Sequence, residues 1–490
     1  MRKIVLAVLA CLALPASAQR LLTLDSCRTL ALRNNKQLIA TRKSKEVAYN
    51  TRKAMRTNYL PKVDALGSYQ YTSKEISLLN KRTKQTLSSL GTSSVASVTN
   101  LLTSLVQSGA VSQEMAQQLG GLLSKASGVF EQGGNAIGQR LVDAFKTDTK
   151  NFWSGTVMAR QPLYMGGAII AANKMADIGE KMAANNEDLV TQNTLYSIDQ
   201  TYWTTVSLRQ KEKLAYSYRD LVKKLDDDVK KMIAQGVATK ADGLRVDVKV
   251  NEAEMQIVQV EDGLVLAKML LCQLCGLPLE EDIMLADENK NTLDTDAYGM
   301  LAPQDSTYDE RPEVRLFQNA VEMSEQNTKL VLAQYLPHVL LTGGYMISNP
   351  NLWDGFNRRF SGVWNVGVTL TVPVWNWMES KYKIRGSKAT TTISRLNLAD
   401  LEEKIHLQAT QSRFKIKEAY KRLNMAKSNL NSADENLRCA NVGFKEGVMD
   451  VTDVMAAQTA WQKAQSDKID AEVDVKLSQV ELQKALGRLR

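Results

Sequence analysis

The chain has 490 residues, a formal net charge of +9 and two histidines. Its basic residues are spread along the sequence and form no stripe with interleaved aromatic residues, which argues against a nucleic-acid partner. Five cysteines in a chain of this length are too few for a disulfide scaffold.

The first residues have the pattern of a secretory signal peptide. Arg2 and Lys3 precede an apolar run at 4–14 and the small residues 16–18, so cleavage is expected after residue 18. Cys11 as a lipid-attachment cysteine is an alternative, although it lies midway through the apolar run. Beyond residue 18 no stretch reaches the ~20 apolar residues of a membrane helix. We therefore expect an exported protein that is soluble or crosses a membrane as strands.

An internal duplication organises the rest of the chain. Residues 59–69 and 335–345 are identical at six of eleven positions, at an offset of 276 residues. Three further pairs share an offset of 211 residues: Pro162 with Pro373, Gly236 with Gly447, and Gly276 with Gly487. We expect a first repeat at 19–276, a linker at 277–309 and a second repeat at 310–490. A duplication of this length predicts two quasi-equivalent structural units.

Four segments alternate between apolar and other side chains with the period of a strand. They cover about 62–72 and 151–161 in the first repeat, and about 338–347 and 361–372 in the second. Their length suits tilted transmembrane strands, although a small sheet in a soluble protein has the same pattern. Aromatic residues gather near the far ends of the second pair, as in an aromatic belt: Trp353, Phe356, Phe360 and Trp364.

Residues 73–150 hold an insertion that the second repeat lacks. Between residues 85 and 130 its charged residues are Glu114 and Lys125, and the apolar residues 98–106 have helical spacing. The pattern predicts short amphipathic helices that join the first two strands on the side opposite the long helices.

The segments between the strands predict long helices. An unbroken seam of apolar residues spaced by four and three is typical of a coiled coil: Val246, Val250, Ala253, Ile257, Val260, Leu264, Ala267, Leu271 and Leu274. No proline lies between Pro162 and Pro278, so two long helices are expected to meet in a hairpin at Gly236. The second repeat has the same plan, with its bend at Gly447.

The order and spacing of these motifs resemble the TolC-like outer-membrane efflux proteins of Gram-negative bacteria. The resemblance runs from about Leu24 to the C-terminus. It rests on Tyr59-Leu60-Pro61, Tyr335-Leu336-Pro337, Gln161-Pro162-Leu163, Val372-Pro373-Val374 and the hairpin segments 235–242 and 445–454. It implies a mainly α fold with membrane β, in which coiled-coil hairpins form a periplasmic α-barrel. Four strands per chain would contribute to a trimeric 12-stranded outer-membrane β-barrel.

Physical arguments favour the same trimer. About eight strands are the minimum that encloses an interior, and open sheet edges are not tolerated in lipid. Three chains of four strands satisfy both conditions. Proline breaks helix and sheet ladders, so Pro61, Pro162, Pro337 and Pro373 are expected at the junctions between helix and strand.

The function implied by the resemblance is that of an exit duct. Located in the outer membrane and extending into the periplasm, it would conduct solutes in a tripartite efflux or type I secretion system. Its partners would be outer-membrane lipid, a periplasmic adaptor and an inner-membrane transporter. A structural periplasmic coiled-coil protein or adaptor without a membrane barrel is the alternative. The exported substrate and the class of pump are not predictable from the sequence.

Asp242 and Asp453 are candidates for a periplasmic aperture. They are equivalent through the duplication and follow the bends at Gly236 and Gly447, so three chains would place six carboxylates around the opening. The alternative is a carboxylate in the first turn of a helix. The family resemblance also reveals departures, because Ala456 stands where a second tip acid is common and Met449 where an arginine can lock the closed state.

No enzyme site is predicted. Cys272 and Cys275 have the CxxC spacing of redox or metal sites, but no second pair or nearby histidine completes a metal shell. We expect the two thiols to pack as small apolar groups. His338 and His406 form no catalytic set with any visible motif, and we expect neither cofactor nor metal.

Overall fold

A computed structural model describes residues 20–74, 79–107, 113–144, 149–290, 292–293, 295, 311–353 and 358–489. The predicted signal peptide, Phe356 and residues 291, 294 and 296–309 of the predicted linker lie outside these ranges. The chain divides into two compact units. We call them the helical unit (residues 1–56, 167–333 and 376–490) and the strand unit (57–166 and 334–375).

Helices dominate the described residues, as predicted. The helices are α1 Leu24–Asn34, α2 Lys36–Arg56, α3 Lys81–Ser88, α4 Leu90–Gln107, α5 Gln113–Ala144, α6 Ala168–Ala234, α7 Lys240–Cys275, α8 Pro312–Ala333, α9 Glu379–Lys445 and α10 Val451–Ala485. The strands are β1 Arg20–Leu22, β2 Lys62–Tyr71, β3 Asn151–Met165, β4 Ile283–Leu285, β5 His338–Asn349 and β6 Ser361–Thr371. None of the described helices is long and apolar enough to span a membrane.

The helical unit is built from two long hairpins, α6–α7 and α9–α10. Helices α6 and α9 each contain 67 residues, about 100 Å at ~1.5 Å per residue, and they begin at positions related by the 211-residue offset. Every residue of the predicted apolar seam on α7 is buried or half-buried, and α7 packs along α6. The predicted coiled-coil hairpins are therefore confirmed.

The two largest of four apolar clusters in the described part of the helical unit join several of its helices. One cluster joins α6, α7, α9 and α10 near the hairpin bends, with Val222, Val229, Val246 and Val454 among its most buried residues. The other joins α1 and the short β1–β4 pair to α6 and α7, with Tyr202 and Leu271 at its centre. In the second cluster Gly276 has a φ of +71°, and a Cβ there would lie 2.7 Å from the backbone oxygen of Asn34. Glycine therefore lets the end of α7 approach α1 closely.

The strand unit contains a four-stranded antiparallel sheet in the order β2-β3-β5-β6. Its ladders run from Lys62 opposite Arg160 to Tyr71 opposite Asn151, and from His338 opposite Thr371 to Ser348 opposite Ser361. At one end of this sheet the chain passes from α2 to β2, from β3 to α6, from α8 to β5 and from β6 to α9. The insertion connects β2 and β3 at the other end.

The insertion is more regular than its sequence predicted. It contains α3, α4 and α5, and α5 is a single helix of 32 residues rather than a short one. Glycines allow α3 and α4 to pack closely on α5, because a Cβ at Gly138 would lie 1.7 Å from the oxygen of Leu87. This packing stabilises a helix longer than the local pattern indicated.

One predicted junction is wrong. Pro61 and Pro337 directly precede β2 and β5, and Pro373 follows the end of β6. Pro162, in contrast, lies inside β3, which continues to Met165 instead of ending near residue 161. The strand accommodates this proline because its register against β5 shifts between Pro162 and Tyr164, and a bulge tolerates the missing N–H group.

Candidate functional site

One face of the sheet is apolar and exposed. We call it the apolar face, and it comprises Val63, Ala65, Gly67, Tyr69, Tyr71, Trp153, Gly155, Val157, Ala159, Val339, Leu341, Gly343, Tyr345, Ile347, Gly362, Trp364, Val366, Val368 and Leu370. Its large side chains are accessible; Trp364, for example, is 74% exposed. Tyr69 and Trp153 stack with their ring centroids 4.4 Å apart. Water is a poor environment for an apolar surface of this extent.

An aromatic side chain on the apolar face covers one of its glycines. Tyr345 lies over Gly362 on the neighbouring strand, where an added Cβ would lie 2.0 Å from the tyrosine oxygen. A tyrosine that packs over a cross-strand glycine shields its backbone and fixes the register. The face is therefore a built surface, continuous across four strands.

The opposite face of the sheet is largely polar. We call it the polar face, and its polar members include Asp64, Ser68, Gln70, Ser154, Thr156, Arg160, Thr342, Ser348, Asn365 and Thr369. Arg160 forms an ion pair with Asp64 on the adjacent strand, and the hydroxyl oxygens of Ser68 and Ser154 lie 2.7 Å apart. Polar side chains thus bond to one another across the strands, as expected of a surface in contact with water.

Both edges of the sheet are open. Within the part of the chain that the structure describes, β2 pairs with β3 alone and β6 pairs with β5 alone. All ten residues of β2 are exposed, as are most residues of β6. Each edge offers unpaired backbone groups for a further strand.

The two hairpin bends have the same backbone. Gly236 and Gly447 have φ angles of +78° and +75°. The N–H of Val237 donates to the oxygen of Met232 at 2.9 Å, and the N–H of Val448 donates to that of Gly443 at 2.8 Å. These are the glycine-dependent bonds that close a helix C-terminus, so both glycines terminate their helices at the predicted bends.

Asp242 lies at the start of α7 in a capping box. Its carboxylate accepts bonds from the Thr239 backbone N–H at 3.1 Å and the Thr239 hydroxyl at 2.6 Å. Arg245 lies 3.4 Å from its other oxygen. The hydrogen bond from the Thr239 side chain, more than any other contact, lowers the pKa of Asp242. The carboxylate therefore has partners within its own helix start.

Asp453 occupies the equivalent position on α10. Asp450 is the N-cap there, and its carboxylate accepts from the Asp453 N–H at 2.8 Å. The Asp450 N–H lies 3.4 Å from the Asp453 carboxylate in return. The second bend therefore carries two carboxylates in the capping box where the first carries one.

A groove separates the two hairpin bends within the helical unit. It has a volume of about 740 Å³ and is lined by residues that include Leu221, Leu225, Met232, Phe444 and Gln458. Val237, which lines the groove, is 70% exposed, and Val448, which follows the lining residue Gly447, is 82% exposed. The bends thus expose apolar side chains at positions related by the duplication.

Three of the four described cysteines lie in the apolar cluster around Tyr202. Cys27, Cys272 and Cys275 are all buried free thiols, so Cys272 and Cys275 are not paired with each other. The Cys275 thiol lies 3.6 Å from the backbone oxygen of Cys27, and burial raises the pKa of Cys272 to about 11. Among the described residues, no cluster of His, Cys, Asp and Glu side chains could hold a metal ion.

An ion pair in the helical unit, between the half-buried Arg28 and the fully buried Asp199, was not predicted from the sequence. Arg28 on α1 donates to both carboxylate oxygens of Asp199 on α6, at 2.8 and 2.5 Å. Burial raises the pKa of Asp199, while the contact with Arg28 acts in the opposite direction. The partners are 171 residues apart, so no local motif could reveal the pair.

The capping boxes at the two bends were also not predicted, although the sequence contains their signature. Thr239-Lys240-Ala241-Asp242 and Asp450-Val451-Thr452-Asp453 both have a capping residue three positions before an acid. This spacing is the signature of a capping box.

Comparison with known proteins fits this geometry. Residues 305–488 match the sequence model of the outer membrane efflux protein family. A comparison with curated protein sequences finds no match.

Solved outer-membrane proteins share the fold over 95% of this chain. The channel OprN aligns with a TM-score of 0.70 over 95% of this chain and 89% of its own, at 14% identity. CmeC of Campylobacter jejuni aligns with a TM-score of 0.71 over 95% and 85%, at 14% identity. VceC of Vibrio cholerae aligns with a TM-score of 0.69 over 95% and 96%, at 13% identity. The predicted resemblance and fold class are thus confirmed, and the predicted outer-membrane location is that of the family.

Proposed function

We propose that this protein is the exit duct of an export system, with three copies forming one conduit through the outer membrane. The observation that carries the proposal is the sheet with one apolar face, one polar face and two open edges. The family is one of efflux proteins, which supports a transport role over an enzymatic one.

The strand order supports closure by three copies. The strands alternate in direction from β2 to β6, so β6 of one chain would meet β2 of the next in antiparallel orientation. Twelve strands would then form a barrel without edges, as lipid requires. The apolar face would contact lipid, while the Asp64–Arg160 pair and its polar neighbours would line the interior.

The helical hairpins would form the periplasmic part of the conduit. A periplasmic adaptor and an inner-membrane transporter would deliver solutes or polypeptides to it. The groove between the bends, with Val237 and Val448 exposed beside it, is the surface we propose for adaptor contact. Opening would take place by movement of the hairpin ends.

A structural periplasmic protein is the second candidate. It would leave the apolar face, including Trp364 and Val366, in contact with water. The unfavourable free energy of exposing these apolar side chains to water favours the membrane location.

Mass measurement and conductance test the proposal. The purified protein in detergent should have the mass of three chains, and planar bilayers should show discrete conductance steps. A monomer with a closed barrel of its own would contradict the trimer. Fractionation with soluble periplasmic proteins, and no conductance, would favour the structural alternative.

The insertion at 73–150 should lie outside the cell, because it joins β2 and β3 at the sheet end opposite the connections to the long helices. Protease added to intact cells should cleave tags placed between residues 75 and 78. A tag placed near Gly236 is the control and should be protected. Protection of the insertion, with cleavage only after the outer membrane is permeabilised, would reverse the proposed orientation.

A further inference from the structure

Three buried thiols meet where the first repeat begins and ends. Cys27 lies on α1, near the start of that repeat, whereas Cys272 and Cys275 lie in the last turn of α7. All three side chains are 0% exposed and belong to one apolar cluster. The proposed conduit uses none of them, so their contacts have to be explained separately.

The two cysteines of the CxxC motif contact different parts of the chain. The Cys272 thiol lies 3.8 Å from the backbone oxygen of Glu281, in the segment that follows α7. The Cys275 thiol lies 3.6 Å from the backbone oxygen of Cys27, which is 248 residues away in the sequence. The partner of Cys275 is therefore the distant cysteine on α1.

The side chains of Cys27 and Cys275 are in direct contact. A hydrogen bond joins the two thiols, and this bond, more than any other contact, raises the pKa of Cys27 and lowers the pKa of Cys275. The adjoining backbone is fixed as well, because the Asn35 side chain donates to the backbone oxygen of Leu274 at 3.0 Å. Helices α1 and α7 thus hold the two sulfur atoms side by side.

A metal site is the other arrangement that three thiols suggest. Within the described part of the chain, no group of His, Cys, Asp and Glu side chains could hold a metal ion. Two thiols in contact are, by contrast, the reduced form of a disulfide.

The second repeat joins its start to its end in another way. At the 211-residue offset, the equivalent of Cys275 is Leu486. Arg311, which directly precedes α8, is buried and donates to the backbone oxygen of Ala485 at 3.1 Å. Each repeat thus attaches the region of its first helix to the end of its last helix, the second by an arginine and the first by a pair of thiols.

We propose that Cys27 and Cys275 form a disulfide in the exported protein, and that this bond ties the start of the first repeat to its end. An outer-membrane protein passes through the periplasm, where disulfides form and persist. The inference requires export but neither a trimer nor conduction, so it stands apart from the proposed function.

The bond forms by exchange with a disulfide-bearing oxidant of the periplasm. One cysteine loses its proton, attacks a sulfur of the donor disulfide and displaces a donor thiolate, which takes up a proton. The other cysteine then loses its proton and attacks the mixed disulfide, which releases the second donor thiol. The two cysteines are oxidised by two electrons, and the donor disulfide is reduced to two thiols. Because both cysteines are fully buried in the folded chain, the exchange takes place during assembly, before α1 packs on α7.

Counting free thiols tests the bond. Cells are quenched with acid, and the denatured protein is labelled with maleimide-linked polyethylene glycol, which adds one mass step for each thiol. Four cysteines follow the predicted signal peptide. The wild type should therefore show two steps, for Cys272 and Cys439, and four steps after reduction. Cys439→Ala is the matched control, because Cys439 is an exposed free thiol, and it should lower each count by one.

A second variant identifies the partner. Cys27→Ser should give three steps without reductant, because Cys275 is released. Peptide mapping of the unreduced wild type by mass spectrometry should find the peptide of Cys27 joined to that of Cys275. Four labelled thiols in the unreduced wild type, or linkage of Cys27 to Cys272 or Cys439, would overturn the proposal.

Reduction separates the covalent bond from the packing of the thiols. A disulfide that closes so long a loop restricts the unfolded chain, so dithiothreitol should lower the unfolding temperature of the wild type in detergent. In Cys27→Ser the reductant should have no effect, because no bond remains to be broken. An equal response of the two proteins to dithiothreitol would contradict a stabilising tie between the ends of the repeat.

Discussion

The two hairpin bends have one backbone and two different charge patterns. Both have a glycine near φ +75° to +78° and a capping box three residues beyond it. The first bend adds Lys240 and Arg245 to Asp242, whereas the second has Val451 and Ala456 at those positions beside Asp450 and Asp453. The turn fixes the backbone because few conformations close a helix hairpin. The exposed side chains are under no such constraint, so their charges have diverged.

This difference changes the proposed aperture. The duplication alone suggests six equivalent carboxylates, each of which would contribute equally to the attraction of cations at the aperture. In the structure Asp242 has Arg245 beside it, while the second bend pairs Asp453 with a further acid, Asp450. The assignment of Asp242 and Asp453 to an aperture stays a prediction, and the second bend is expected to dominate it.

The largest predicted effect is a loss of stability at Asp199, a position at which the two repeats differ more strongly than they do at the bends. Asp199 pairs with Arg28, but its equivalent in the second repeat is Thr410, whose hydroxyl donates to the backbone oxygen of His406. Asp199→Ala removes the fully buried partner of the half-buried Arg28 and leaves it the exposed Asp25, 3.6 Å away, so the free energy of unfolding should fall by about 3 kcal/mol. Chemical denaturation in detergent measures the change.

Thr410→Ala is the matched control and should change stability by less than about 0.5 kcal/mol. Equal losses for the two variants would mean that the ion pair contributes nothing specific.

A smaller and symmetric effect is expected at the two bends. Gly236→Ala and Gly447→Ala should each destabilise the protein by about 1–2 kcal/mol, because alanine is strained at positive φ. Neither site has an atom within 4 Å of the added Cβ, so backbone strain is the sole cause and the costs should agree. Unfolding curves of the two variants test this. A difference larger than about 1 kcal/mol would show that the bends are not equivalent.

Channel selectivity should distinguish the bends. Carboxylates around a narrow opening attract cations, so D242N/D453N should weaken cation preference and block by multivalent cations in planar bilayers. Of the single variants, D453N should have the larger effect, because Arg245 already offsets the charge of Asp242. Unchanged selectivity in the double variant would leave both residues as helix-start acids only.

The smallest effect is a pH dependence at the first bend. The folded pKa of Asp242 lies below its ordinary value because Thr239 donates to its carboxylate. Its stabilisation is therefore fully present above the unfolded pKa of about 3.9 and is lost as the pH falls through the folded pKa. Unfolding temperatures measured between neutral and acidic pH should fall less steeply for Asp242→Asn. Identical slopes for variant and wild type would contradict the capping role.

Periodic patterns in the sequence were sufficient to predict the four strands, the long helices and their bends. The seam from Val246 to Leu274 spans many helical turns, so its period is unambiguous. Predictions of element boundaries that depended on a single residue were less accurate. Pro162 predicted the end of a strand, yet pairing with β5 extends the strand past it through a bulge. The length of α5 depended on glycine contacts with α3 and α4, which composition alone does not reveal.

The sequence by itself determined the duplication, the alternation of apolar and polar strand residues and the glycines that end the helices, since each depends on neighbours close in the chain. Tertiary structure alone decided which distant groups meet. Arg28 with Asp199, Asp64 with Arg160 and Tyr345 over Gly362 depend on strand register and helix packing. The contact between Cys27 and Cys275 likewise became visible only in the folded chain, because the CxxC spacing in the sequence indicates Cys272 as the partner instead.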